Sequence, residues 1–121
     1  TAAEPAAAPL LSGQPWTPHK IQGWAPDFVP DVLNREVVDQ VLHIHDADAI
    51  TTARRLAMEE GIFTGISAGA TVAAALRVAQ TAAAGSVLLA ILPDTGERYF
   101  STALFEGVEE GSDDAWLASA G

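Results

Sequence analysis

The sequence predicts an α/β architecture, with helices laid on a parallel sheet, and three runs carry that prediction. Ser86 to Leu92 (Ser-Val-Leu-Leu-Ala-Ile-Leu) is apolar without a break, the pattern of a strand covered on both faces. Ser67 to Gln80 is apolar on nearly every face with Arg77 as its one charge, which describes a buried helix. Val37 to His45 is rich in β-formers and leads into a further helical period. Strand, helix, helix, strand, helix with buried strands implies helices on a parallel sheet. Two clear strands are too few for a free-standing version of such a layer.

Taken in order, the elements begin with a stretch that resists assignment. Thr1 to Gln22 holds Pro5, Pro9, Pro15 and Pro18, with Pro26 just beyond. Proline removes backbone donors and disfavours helix in the residue before it, so this reads as an extended segment or long loop. A structureless stretch of that length sits badly inside a compact domain. Asp31 to Arg35 allows a short helix closed by Asn34, and Val37 to His45 follows as a strand centred on Val41, Leu42 and Ile44. Asp46 or Asp48 can cap the next helix, since an Asp oxygen accepts from first-turn amides. Ile50, Ala53, Leu56 and Ala57 recur at helical steps until Gly61. Arg55 and Glu59, four apart, pair on its exposed face. The apolar helix from Ser67 ends at Gly85, and the strand Ser86–Leu92 runs into Pro93-Asp94-Thr95-Gly96-Glu97, which is turn chemistry. Ser101 is placed to cap a last short helix through Phe105. Residues 1–107 form the folded part, and 108–121, with Glu109, Glu110, Asp113 and Asp114, an acidic and flexible tail.

Composition excludes several functions. The 121 residues carry six Lys and Arg against sixteen Asp and Glu, a formal charge of −10, so a polyanion is repelled and nucleic acid is not an expected partner. Cysteine is absent, which removes disulfides, thiolate metal sites and thiol nucleophiles. No apolar run approaches the roughly 20 residues of a membrane span, and no charged-then-apolar leader opens the chain. An acidic cytoplasmic protein is the expectation. His43 and His45 alternate on the expected strand without a third ligand, so no metal site is expected. Lys20, the single lysine, reads as structural.

The sharpest motif is Gly65-Ile66-Ser67-Ala68-Gly69 at a helix start. As G-x-S-x-G it matches the serine-hydrolase elbow, which needs a strand before Ser67 and an acid, then a histidine, further along. Asp94 could supply the acid, but no histidine follows His45. Two other readings use the unpaired amides and positive end of the helix. In one, Ser67 caps the helix and the glycines permit tight packing. In the other, Ser67 presents its hydroxyl to a ligand and Gly69 permits close backbone approach.

Four blocks extend the argument beyond that motif. Pro18-His19-Lys20-Ile21-Gln22-Gly23, Glu59-Glu60-Gly61-Ile62 leading to Gly65-Ile66-Ser67-Ala68-Gly69-Ala70, Ile91-Leu92-Pro93-Asp94-Thr95-Gly96-Glu97-Arg98-Tyr99 and Ser101-Thr102-Ala103-Leu104-Phe105 occur in this order. Together with Ala3-Glu4-Pro5 and Leu11-Ser12-Gly13, they resemble the C-terminal third of cysteine synthase (O-acetylserine sulfhydrylase), of the β-family, fold type II pyridoxal-phosphate enzymes. The resemblance covers roughly residues 3 to 107. It implies part of a three-layer parallel-sheet domain, pyridoxal 5'-phosphate as cofactor, and cysteine formation by loss of acetate from O-acetylserine and addition of sulfide. It places Ser67 on the pyridine nitrogen, with Gly65, Asp94 and Thr95 beside the same ring edge. A hydroxyl donor and a positive helix end disfavour a protonated ring, which favours β-elimination over transamination or racemisation. Gly23, Trp24 and Ala25 resemble the loop over the active-site mouth, where Gly23-Trp24-Ala25-Pro26-Asp27-Phe28 replaces a more glycine-rich version.

The resemblance also implies what lies elsewhere. The family's Schiff-base lysine, substrate-binding asparagine block and glycine-rich phosphate loop have no counterpart in these residues, so no catalytic residue is assigned here. The expectation is a fragment, or one of several chains, of such an enzyme, inactive alone and partnered by the N-terminal remainder. The complete enzyme would be a homodimer, with serine acetyltransferase as a candidate partner. Plastid or mitochondrial placement would follow in a eukaryote. Alternatives are a sister enzyme of the cystathionine β-synthase or cyanoalanine synthase type, and a non-catalytic interaction module.

Overall fold

The computed structural model describes residues 1–108, 111 and 113–119. Its regular elements are β1 (Ala2–Pro5), β2 (Val41–Ile44), α1 (Asp46–Glu60), α2 (Ile66–Ala79) and α3 (Asp113–Ser119), with 3-10 turns at Arg35–Val37 and Gly96–Tyr99. The two strands pair in parallel, Ala2 opposite Val41 through Pro5 opposite Ile44. α1 and α2 pack on each other and α2 also packs on the sheet, so helices on a parallel sheet are borne out.

Within the expected extended segment or long loop, Ala2–Pro5 is extended and pairs as β1. Pro5 stands last in the strand, where its missing N–H breaks no later bond, and the Ala6 amide resumes pairing to the Ile44 carbonyl at 2.8 Å. Glu4 is 3% exposed. Its carboxylate accepts from the Leu11 amide and the Ser12 hydroxyl, both at 2.7 Å, with His43 Nε2 at 3.2 Å. Those partners make burial of a carboxylate tolerable, and they tie the proline-rich loop back to the strand.

Ser86–Leu92 requires a correction. That segment forms no strand among the described residues, and Val87 and Leu89 are 94% and 87% exposed. An apolar run records a need for cover, but a strand also needs a neighbouring backbone. Val87 to Ala90 instead face β1 across a cleft of about 500 Å³, floored by Thr71, Ala74 and Val78 of α2.

The helices follow their sequence signals with shifted ends. α1 starts at Asp46 after His45, without a side-chain cap. The Asp46 carboxylate accepts from the Lys20 amide at 2.8 Å, and Asp48 pairs with Arg77 at 2.6 Å. Both acids still sit at the positive helix end. At the other end Gly61 is left-handed (φ 69) and the Ile62 amide donates to the Leu56 carbonyl at 2.9 Å, as the spacing predicts. Arg55 clasps Glu59 through two bonds of 2.8 and 2.9 Å. α2 is buried from Ile66 to Ala70, but Leu76 is half exposed, so it is apolar all round and buried over its first half. It ends at Ala79, short of Gly85.

Three smaller expectations also change. Asn34 starts an element instead of closing one: its Oδ1 accepts from the Glu36 amide at 2.9 Å and opens the 3-10 turn. That turn occupies the start of the expected strand at Val37 and delays β2 to Val41. Ser101 to Phe105 is a run of turns. The carbonyls of Ala103, Leu104 and Glu106 are held by the Arg54 guanidinium at 3.1, 2.7 and 2.8 Å. In the acidic tail α3 is helical, while Glu109 and Glu110 lie outside the described residues.

Candidate cofactor-binding cleft

The amino end of α2 builds the site. Gly65, extended at φ −80 and ψ 176, is the N-cap residue and carries no capping side chain. Ser67 is the second helical residue and is 4% exposed. The first ladder bond runs from the Gly69 amide to the Gly65 carbonyl at 3.1 Å, which leaves the amides before it outside the ladder. The capping reading of Ser67 is therefore overturned. The elbow geometry is also missing, because Thr64 forms a single bridge and no strand leads into Ser67.

The turn after Leu92 is pinned against this helix end. Thr64 bridges Thr95 in antiparallel sense, the Gly96 amide donates to the Phe63 carbonyl at 3.3 Å, and the Thr64 hydroxyl donates to the Asp94 carbonyl at 3.2 Å. A Cβ on Gly65 would stand 2.9 Å from Tyr99 Cζ and closer still to Asp94 Oδ1. The bare glycine is what lets both side chains reach the helix end. There the Tyr99 hydroxyl donates to Asp94 Oδ2, while Asp94 Oδ1 is buried with no hydrogen-bond partner. Burial, then the Asp94 carboxylate, push the Tyr99 phenol above its ordinary acidity range; the nearby Ser67 hydroxyl and the charge of Arg98 oppose that rise.

Ser67, Asp94 and Tyr99 share a cleft of about 380 Å³ with Pro93 and with Gln22, Gly23 and Trp24 from the loop above. Gly23 takes a positive φ of 85, which glycine adopts freely, and Trp24 beside it lines the cleft. Five of the seven residues expected at the site thus meet here: Ser67, Asp94, Gly23 and Trp24 line it, and Gly65 abuts it. Thr95 contributes only backbone, and its side chain is exposed. Ala25 lines a neighbouring groove with Phe28 and Val29, and its carbonyl accepts from Trp16 Nε1 at 2.9 Å. Tyr99 is the functional candidate missed by reading residues one at a time. Its position five after Asp94 gives no spacing signal, because a 3-10 turn folds it back.

Residues 1–94 match the family described as pyridoxal-phosphate dependent enzyme. The chain belongs to that family. O-ureido-L-serine synthase of Streptomyces lavendulae is 63% identical over 118 residues, covering 98% of this chain and 36% of the relative. A probable cysteine synthase of Bacillus subtilis is 47% identical over 102 residues, covering 84% and 33%. The crystal structure of cysteine synthase from Entamoeba histolytica superposes with a TM-score of 0.83 at 36% identity, over 98% of this chain and 35% of that one. The α/β, fold type II resemblance is borne out, with the cofactor class that defines the family. The chain spans about a third of the length of the relatives it matches.

The cleft suits one edge of a pyridoxal-phosphate ring. It offers a buried hydroxyl at a positive helix end and an indole wall; the space beside Gly65 is taken by Asp94 and Tyr99, and that beside Gly69 by the α1 backbone, not by a ligand. Among the described residues no Lys or Arg lines it, so nothing there answers a phosphate group. Nor do the described residues hold a cluster of three metal-ligating groups, and no helix is long and apolar enough to cross a membrane.

Proposed function

We propose that this chain forms one wall of the cofactor site in an enzyme that replaces the β-substituent of an activated serine, with Ser67 against the nitrogen edge of pyridoxal phosphate. The observation that carries the reading is a hydroxyl buried at the amino end of α2 and opening on a cleft shared with Asp94, Gly23 and Trp24. When bound, the cofactor supplies the electron sink for chemistry at the β-carbon. The chain's residues set its surroundings. The positive end of α2 opposes a further positive charge at the ring nitrogen, and Ser67 bonds that atom. Trp24, on the Gly23 turn, excludes water from the ring edge. Gly65 and Thr95 serve through backbone geometry, by admitting Asp94 and by holding its turn in place.

The phosphate-binding and Schiff-base groups come, in this reading, from polypeptide beyond these 121 residues, and the complete cytoplasmic enzyme is a homodimer. Its reaction is cysteine formation from O-acetylserine and sulfide. The 63% identity to O-ureido-L-serine synthase, against 47% to a cysteine synthase, favours a second reading in which the product is O-ureido-L-serine. The experiment joins this chain to its N-terminal remainder, loads pyridoxal phosphate, and offers O-acetylserine with either sulfide or N-hydroxyurea, with products identified by mass spectrometry. Cysteine supports the first reading and O-ureido-L-serine the second; neither product, or turnover by the 121 residues alone, overturns the proposal.

A further inference from the structure

We propose that Trp16 is a positioning residue for the cleft: its indole N–H holds Ala25 in a strained turn and so keeps Trp24 in place as the wall. Trp24 is fixed from both sides. On its amino side the Trp24 amide donates to the carbonyl of fully buried Ile21 at 3.2 Å. That bond closes a turn whose third residue, Gly23, supplies the positive φ. On its other side stands Ala25, at φ 40 the one non-glycine residue with a positive φ among the described residues. Alanine enters that region only where its surroundings impose it. Pro26 follows and disfavours the right-handed helical region at Ala25, so relaxation leads to extended backbone and turns the chain at Trp24 out of its present path. The contact that imposes the turn is Trp16 Nε1, which donates to the Ala25 carbonyl at 2.9 Å. His19 Nε2 lies 3.5 Å from the same carbonyl, too far to replace that bond. Trp16 is itself seated. The Thr17 amide donates to the Ala7 carbonyl, just beyond β1, at 2.9 Å, and the Trp16 ring meets His19 edge-on at 6.3 Å. Restraint thus runs from the sheet through Trp16 to Ala25 and reaches the cleft at Trp24.

The inference deepens the reading of the cleft given above and rests on it only for what the cleft holds. In the complete enzyme, before pyridoxal phosphate is added, Trp24 is followed by its indole N–H resonance, assigned by its loss in Trp24→Phe. Trp16→Phe keeps a ring against His19 but removes the donor, and is expected to displace that resonance. Adding Ala25→Gly is expected to return it, because glycine takes the left-handed conformation without strain. A loop merely loosened by lost packing would not recover. A Trp24 resonance unmoved by Trp16→Phe, or one that Ala25→Gly fails to return, overturns the clamp. After loading, Trp24→Ala and Trp16→Phe are expected to shift the cofactor absorption band in the same sense, the second by less. Shifts in opposite senses overturn the clamp as well; a band indifferent to Trp24→Ala, with the resonance still displaced by Trp16→Phe, overturns only the reading of this cleft as the cofactor's.

Discussion

Tyr99 is held as a weaker acid than an ordinary phenol by burial and by the Asp94 carboxylate, and this couples the fold to alkaline pH. The folded value lies above the unfolded one of about 10, so the protonated phenol stabilises the fold fully below that pH. The contribution disappears as pH rises through the folded value. Urea unfolding of the wild type and of Tyr99→Phe between pH 8 and 11 is expected to show the difference between them shrinking with pH, and a constant difference contradicts the assignment. Gly65→Ala is expected to open the cleft at lower cost than a core clash, since the atoms it meets belong to the Asp94 and Tyr99 side chains; nuclear magnetic resonance of Tyr99 would report the displacement. Legibility at this scale was uneven. Ser67 and Asp94 stood out because a helix start and a turn have local sequence signals. The Tyr99 contact and the buried Glu4, held by Leu11 and Ser12, depend on the chain folding back, which no local pattern encodes.

The two helices meet through alanine and glycine. A Cβ on Gly69 would stand 2.7 Å from the Ala53 nitrogen and closer to the Ala49 carbonyl. Those atoms belong to the α1 backbone, so Gly69→Ala must separate the helices. The expected loss is about 1–3 kcal/mol by urea unfolding, and a neutral result contradicts the packing described here. Arg54 of α1 spans to three carbonyls of the 103–106 turns. Replacing it with Ala is expected to cost about 1.5–3 kcal/mol and to raise amide exchange across those turns. Both α1 and α2 were legible because helical periodicity and the Gly61 stop are local. β2 was legible too, within the β-rich run Val37 to His45, but the other strand readings were not. β1 hides behind prolines and exists through its pairing with β2, whereas Ser86–Leu92 has the strand composition without the partner.

Across the whole molecule, the unpaired segment and the partial length agree. Val87, Leu89 and Ile91 are 94%, 87% and 65% exposed, and the chain spans about a third of its relatives. Under the proposed reading this exposed apolar run is the face that meets the rest of the enzyme. The 121 residues alone are expected to bind an apolar dye such as anilinonaphthalene sulfonate, and Leu89→Lys to reduce that signal and impair joining to the N-terminal remainder. An unaltered signal would leave the segment without that role. The central claim, that Ser67 bonds the cofactor's nitrogen edge, is tested most directly by the absorption spectrum of the complete enzyme carrying Ser67→Ala. A neutral hydrogen bond contributes about 0.5–1.5 kcal/mol. The account therefore predicts a displaced cofactor band and a slower reaction, with cofactor affinity altered by no more than about tenfold. An unchanged band together with an unchanged rate would contradict it.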